Sequence, residues 1–116
     1  MPTDRDAEIL RHILKYCAEI KHTADVFGND YQTFSGNSIY QNATALCVLQ
    51  IGELTTHLSE DFKKTYDQMP WRQMKALRNI VAHNYGKIDK EILWETLTQD
   101  IPELQGYCSS ILTPMA

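Results

Sequence analysis

The chain has 116 residues, 43% of them apolar, with 11 basic and 15 acidic side chains and a net charge of −4. That length suits one domain spanning 1–116 with a modest core. No apolar run approaches the roughly 20 residues of a membrane span, and the polar Met1-Pro2-Thr3-Asp4-Arg5-Asp6 start lacks a signal-peptide core, which makes the cytoplasm the expected location; the acidic balance argues against general coating of nucleic acid.

Ile9, Ile13, Tyr16 and Ile20, flanked by Leu10, Leu14 and Cys17, recur at helical spacing and predict an amphipathic helix from about Asp4 to Val26. Gly28-Asn29-Asp30 stops it, and the polar stretch up to Gly36-Asn37-Ser38 reads as a loop. A second long helix is expected from Asn37 or Ser38 to Leu58, with Ile39, Ala43, Leu46, Leu49 and Leu54 as its apolar positions. Ser59 is placed to cap a short helix that Met69-Pro70 ends.

Trp71 to Tyr85 reads as the third main helix, stopped by Gly86. Asp89 caps a fourth that begins at Lys90, and Pro102 breaks or kinks it near Asp100 and Ile101. A last helical piece reaches about Leu112, and Thr113-Pro114-Met115-Ala116 is a tail. With no alternating strand pattern, the fold expected is an all-α bundle.

Cys17, Cys47 and Cys108 are odd in number and widely spaced, which supports neither a zinc nor a redox motif, and Cys17 and Cys47 read as buried free thiols. His12, His22 and His57 have no metal-ligand spacing with one another or with His83, no glycine-rich phosphate loop is present, and no metal or cofactor is expected. Trp71 and Trp94 read as core anchors.

Charge is uneven along the chain. Between Trp71 and Lys90 there are five basic residues (Arg72, Lys75, Arg78, Lys87 and Lys90) and one acid, Asp89, whereas the remainder carries a net −8. The positive potential therefore gathers on one segment and suits a local phosphate site.

That segment holds Arg78-Asn79-Ile80-Val81-Ala82-His83-Asn84-Tyr85. Arginine offers a permanent charge and a fork of donors for phosphate. Histidine moves protons near neutral pH, and tyrosine adds a phenolic donor. Together they are equipped to cleave a phosphodiester without a metal. At 100° per residue Arg78 and Tyr85 nearly eclipse each other, while His83 projects about 140° from Arg78. Either the helix loosens at Asn84-Tyr85-Gly86, or two copies pair so that each contributes to one cleft. Asn79, four residues before His83, is placed to orient the imidazole.

Gly52 inside a helix suggests close approach by a neighbour. Glu53 falls on the stripe of Leu46 and Leu49, and two readings stand side by side: a carboxylate at an interface that orients Arg78, or a partly exposed residue at the stripe's edge.

The Arg-x4-His-x-Tyr spacing resembles the signature of the HEPN ribonuclease toxins, and within them the HepT family. Pro70-Trp71 upstream, Ile88-Asp89 and Trp94 downstream, Ile51-Gly52-Glu53 on the second long helix, and Asp6, Ile9, Leu10 and Ile13 on the first extend the resemblance over most of the chain.

The resemblance implies a HEPN-type antiparallel bundle of four to five helices that forms a homodimer with the motifs facing across the interface. It implies the ribonuclease half of a toxin–antitoxin pair, cutting RNA without a metal. Arg78 and His83 would be catalytic, with Tyr85, Asn79 and Glu53 supporting. It further implies a minimal nucleotidyltransferase partner that silences the toxin by adenylylating Tyr85. The alternatives are a non-catalytic HEPN module that binds a nucleotidyltransferase or a nucleotide, and a helical interaction protein with an accidental motif.

Overall fold

The computed structural model describes residues 2–69, 71 and 89–113. All regular structure among them is helical, and the fold is an all-α bundle. Its long helices are α1 (Asp4–Phe27), α3 (Ser38–Thr55) and α6 (Ile101–Leu112); shorter ones are α2 (Tyr31–Ser35), α4 (Glu60–Thr65) and α5 (Lys90–Glu95). A π-helical turn, Thr96–Asp100, joins α5 to α6.

Helix α1 follows its sequence pattern closely. Thr3 caps it by accepting from the Asp6 N–H, and Leu10, Ile13, Cys17 and Ile20 form the buried stripe, with Leu14 and Tyr16 at its margins. It ends at Gly28, whose φ of 124° is a conformation that a side chain would strain. Its N–H still closes onto the Ala24 carbonyl at 2.8 Å.

The expected loop before α3 contains a helix. Asp30 caps α2 through its Oδ1, which accepts from the Thr33 N–H at 2.8 Å, and the turn buries Phe34 completely. Five residues are too few to show a helical period, which is why periodicity passes over α2. The Asp30–Thr33 cap pattern is its only local signal.

Helix α3 begins at Ser38, where Asn37 caps it, and it ends at Thr55, three residues before the expected limit. Its buried face differs from the one that the apolar pattern selects. Tyr40, Thr44, Val48, Ile51 and Thr55 face the core, whereas Ile39 is 67% and Leu46 55% exposed. Two threonines sit in the core because their hydroxyls donate to carbonyls of their own helix. Thr44 Oγ1 reaches the Tyr40 carbonyl at 2.9 Å, and Thr55 Oγ1 the Gly52 carbonyl at 2.7 Å.

Helix α4 is capped by Ser59, as the sequence suggests. Its Phe62 lies against Tyr66 and Trp71, and Trp71 reaches across to Tyr107 on α6. Asp89 caps α5, with Oδ1 accepting from the N–H groups of Glu91 and Ile92. Pro102 does not break the helix that follows. The chain instead widens into the π turn, where the Ile101 N–H bonds to the Thr96 carbonyl, and then runs on as α6. A proline has no N–H to give the preceding turn, and a wide turn just before it absorbs the mismatch.

All three cysteines are buried and free. Burial pushes Cys17 and Cys108 up to about 12 and Cys47 up to about 11. These thiols behave as core packing groups.

Candidate functional site

Arg78, Asn79, His83 and Tyr85 lie outside the described residues, as do Gly86 and all of the expected third helix beyond Trp71. The structure describes what brackets that segment and the one supporting residue that sits elsewhere.

Upstream, Trp71 is buried, and its Nε1 donates to the Tyr66 carbonyl at 2.8 Å. A buried indole with a satisfied N–H is a fixed anchor. This is the core role expected of it, and it ties the start of the basic segment to α4 and α6. Downstream, Asp89 fixes the start of α5, and the Lys90 ammonium donates to the Ser35 carbonyl at 3.1 Å. Lys90, one of the five cations of the segment, is thus tied to the end of α2. Trp94 is half-buried, 5.1 Å from the Phe34 ring and 6.5 Å from that of Tyr40 between centroids. Trp71 and Asp89, the described residues on either side of 72–88, are therefore both fixed in the bundle.

Glu53 lies near the C-terminal end of α3, with its side chain 47% exposed. It does not turn into the core. It shares the outer face of α3 with Leu46 and Ile39, each seven residues from the next and almost eclipsed at 100° per residue. The carboxylate Oε1 is 3.7 Å from His57 Nε2 one turn on. The expected partner, Arg78, lies outside the described residues. Gly52 beside it is buried and gives its carbonyl to Thr55.

The face that carries Glu53 is more apolar than a solvent face needs to be. The sequence pattern counts Ile39 and Leu46 among the apolar positions of this helix and sets Glu53 on the stripe of Leu46 and Leu49. The structure places them outside with the carboxylate. Among the described residues, no three His, Cys, Asp or Glu side chains gather as metal ligands would. No described helix is long and apolar enough to cross a membrane.

Tyr40 is a polar group that sequence reasoning missed. It is 1% exposed, and its hydroxyl has no hydrogen-bond partner among the described residues. Its place on the core stripe with Thr44 and Val48 was the available signal, and the apolar residues on the other faces of α3 obscured it.

A family model described as "Ribonuclease HepT-like" matches residues 13–111. A protein of Methanocaldococcus jannaschii provisionally named an RNase is 33% identical over 86 residues, covering 74% of this chain and 76% of its own. A provisionally named RNase of Caldanaerobacter subterraneus subsp. tengcongensis is 28% identical over 103 residues, covering 89% and 90%. A Thermococcus cleftensis protein named "Probable ribonuclease HepT" is 39% identical over 56 residues, covering 48% and 51%. No solved structure matches the chain.

Proposed function

Because the chain belongs to the HepT-like ribonuclease family, and so to a family of RNA-cleaving enzymes, we propose that it is the toxin of a toxin–antitoxin pair and cuts RNA without a metal. The observation that carries this reading is the family match over 13–111, which takes in the whole of Arg78-Asn79-Ile80-Val81-Ala82-His83-Asn84-Tyr85.

In this reading the ribose 2′-oxygen attacks the adjacent phosphorus and the bond from phosphorus to the 5′-oxygen breaks. One proton leaves the 2′-hydroxyl and one arrives on the departing 5′-oxygen. The products are a 2′,3′-cyclic phosphate and a free 5′-hydroxyl. His83 serves as base or acid. Arg78 binds the phosphate and the charge that grows on it in the transition state. Tyr85 donates to a phosphate oxygen, and Asn79 orients His83.

The angle of about 140° that the helix expected from the sequence would put between Arg78 and His83 favours a cleft shared by two copies. The exposed Ile39 and Leu46 beside Glu53 supply an apolar face suited to such pairing. In this reading Glu53, on that face, orients Arg78. Control by a minimal nucleotidyltransferase partner fits the same site. An adenylyl group on Tyr85 would put its phosphate charge where the RNA phosphate belongs and occupy Arg78.

The test is RNA cleavage by the purified protein in chelator, with mapping of the new ends. Cyclic phosphate and 5′-hydroxyl ends that disappear in Arg78→Ala and in His83→Ala support the reading. Uncut RNA with a folded wild-type protein would favour a non-catalytic binding module.

A further inference from the structure

Tyr31 and Trp94 meet edge to face, with ring centroids 6.1 Å apart and planes at 66°. They form two walls of an open groove of about 460 Å³ between α2 and the segment running from α5 into the π turn. Glu91, Glu95, Thr98 and Gln99 complete its lining. Tyr31 is exposed and Trp94 half-buried, so the groove presents aromatic surface to whatever enters it.

The two carboxylates stand one turn apart on α5, and like charges at that spacing repel. The start of a helix favours Glu91 but not Glu95. On other helices of the bundle acids and bases answer each other: Glu8 with Arg11, Asp25 with Lys21, Glu60 with Lys63. Among the described residues no cation answers Glu91 or Glu95. The negative charge extends past the groove, for Asp100 is held above its ordinary value by burial and then by the charges of Glu103 and Glu95. Trp94 and Thr98 also line a cavity of about 430 Å³ that Tyr40 borders, between α1, α3 and the segment from α5 through the π turn into α6. There Lys21 Nζ meets Asp25 Oδ2 at 3.1 Å, so the two charges cancel and only the groove carries an unanswered sign.

We propose that the groove between Tyr31 and Trp94 binds the arginine side chain of a partner polypeptide, with the guanidinium against the rings and beside the carboxylates of Glu91 and Glu95. The charges call for a cation. The rings select one that gives up water readily: a guanidinium is planar, weakly hydrated and stacks on aromatic faces, whereas an ammonium is compact and strongly hydrated. The volume takes the alkyl stem together with the head. Because the groove is open, a small free cation would stay largely in water, whereas a polypeptide can cover it. Phe27 and Ile92 are exposed as well. Phe27 joins the same cluster of rings through Tyr40, and Ile92 follows Glu91 on α5, so a peptide has apolar surface to lie on around its arginine. None of these residues belongs to the Arg78–Tyr85 motif, and the site stands independently of the ribonuclease reading.

Two capped peptides test the assignment, identical except for a central arginine or citrulline between leucines. Citrulline keeps the shape of arginine and loses its charge. Amide and indole N–H chemical shifts are followed as each peptide is titrated into the intact protein at low salt and neutral pH. The arginine peptide is expected to move the Trp94 indole and the amides of Glu95, Thr98 and Gln99, and to bind about fivefold more tightly than the citrulline peptide. The Trp71 indole, anchored on the Tyr66 carbonyl, should stay in place. Glu91→Gln combined with Glu95→Gln, both at exposed positions, should remove the preference while the remaining amides keep their dispersion. Tyr31→Leu, which keeps an apolar wall without a ring, should narrow it. Methylguanidinium alone should bind more weakly than the arginine peptide. Equal binding of the two peptides, a preference that survives the loss of both carboxylates, an unmoved Trp94 indole, or methylguanidinium bound as tightly as the arginine peptide would overturn the proposal.

Discussion

Asp6 and Ser59, 53 residues apart in sequence, are joined twice. The Ser59 N–H donates to Asp6 Oδ1 at 2.9 Å, and the Ser59 hydroxyl to Oδ2 at 2.7 Å. The Thr3 hydroxyl donates to the same Oδ2 at 3.0 Å. Thr3 and Ser59 are themselves caps, of α1 and α4. By taking both hydroxyl protons, one carboxylate leaves each cap oxygen free to accept from its own helix N-terminus.

Removing this carboxylate should therefore weaken two helix starts at once. Asp6→Ala is expected to cost about 2–4 kcal/mol of unfolding free energy, as when a buried hydrogen-bonded charge is lost. Asp6→Asn should cost nearly as much, because its NH₂ would face donors. Urea unfolding of the three proteins measures this, and a loss below about 0.5 kcal/mol, the scale of an ordinary surface change, would refute it.

The same contact sets a direction for acid. Burial raises the Asp6 pKa, but the bonds from Ser59 and Thr3 outweigh it and leave the group below its ordinary value. Its contribution is present above the unfolded carboxylate value and is lost as pH falls through the lower, folded one. Wild-type stability should fall more steeply than that of Asp6→Asn as pH drops below about 4, the reference region for aspartate. Parallel curves for the two proteins would sink this account.

Thiol chemistry gives a third expectation. Cys17, Cys47 and Cys108 are buried, with thiols held well above the ordinary range. Ellman's reagent should label none of them in the native protein over minutes and all three in guanidinium. Rapid labelling without denaturant would mean that this core opens readily.

The outer face of α3 can be tested by charge. Ile39→Glu and Leu46→Glu replace exposed side chains, so the monomer should retain its stability to within about 0.5 kcal/mol. If that face pairs two copies, each change should shift sedimentation towards the monomer and lower RNA cleavage together. Cleavage and assembly that both survive the double change would place the interface elsewhere.

Tyr85 carries the proposed control. Co-expression with a neighbouring nucleotidyltransferase should raise the intact mass by whole adenylyl units that map to Tyr85, and Tyr85→Phe should remain unmodified. A fully silenced complex with an unmodified Tyr85 would mean that masking alone suffices.

How far the sequence could be read differs from helix to helix for physical reasons. Helix α1 has one apolar stripe against charged faces, so its period gives both its limits and its buried side. Helix α3 is apolar on several faces, and its core includes Thr44 and Thr55, which satisfy themselves locally; a count of apolar residues therefore does not tell the exposed Ile39 and Leu46 from the buried Val48 and Ile51. The caps at Ser59 and Asp89 were legible because capping depends on one side chain and two or three neighbours. Glu53 was readable as a position on a face but not in its exposure, which depends on which face of α3 turns inward. The Tyr40 cavity arises where three distant segments meet, and no local pattern encodes it.

The π turn before Pro102 has a genetic consequence. A wide turn amounts to one surplus residue in an α-helical frame, so α5 and α6 are phased separately although they follow one another without a loop. Leu93, Leu97 and Ile101, spaced by fours and all buried, show that frame at work, since an ordinary helix would swing such a series by about 80° over its length. Dropping the exposed Gln99 would return the segment to an ordinary frame, but it would also set the proline ring against a regular turn. The deletion should thus be poorly tolerated alone and much better tolerated together with Pro102→Ala. Surplus residue and proline form a pair that a lineage would gain or lose together.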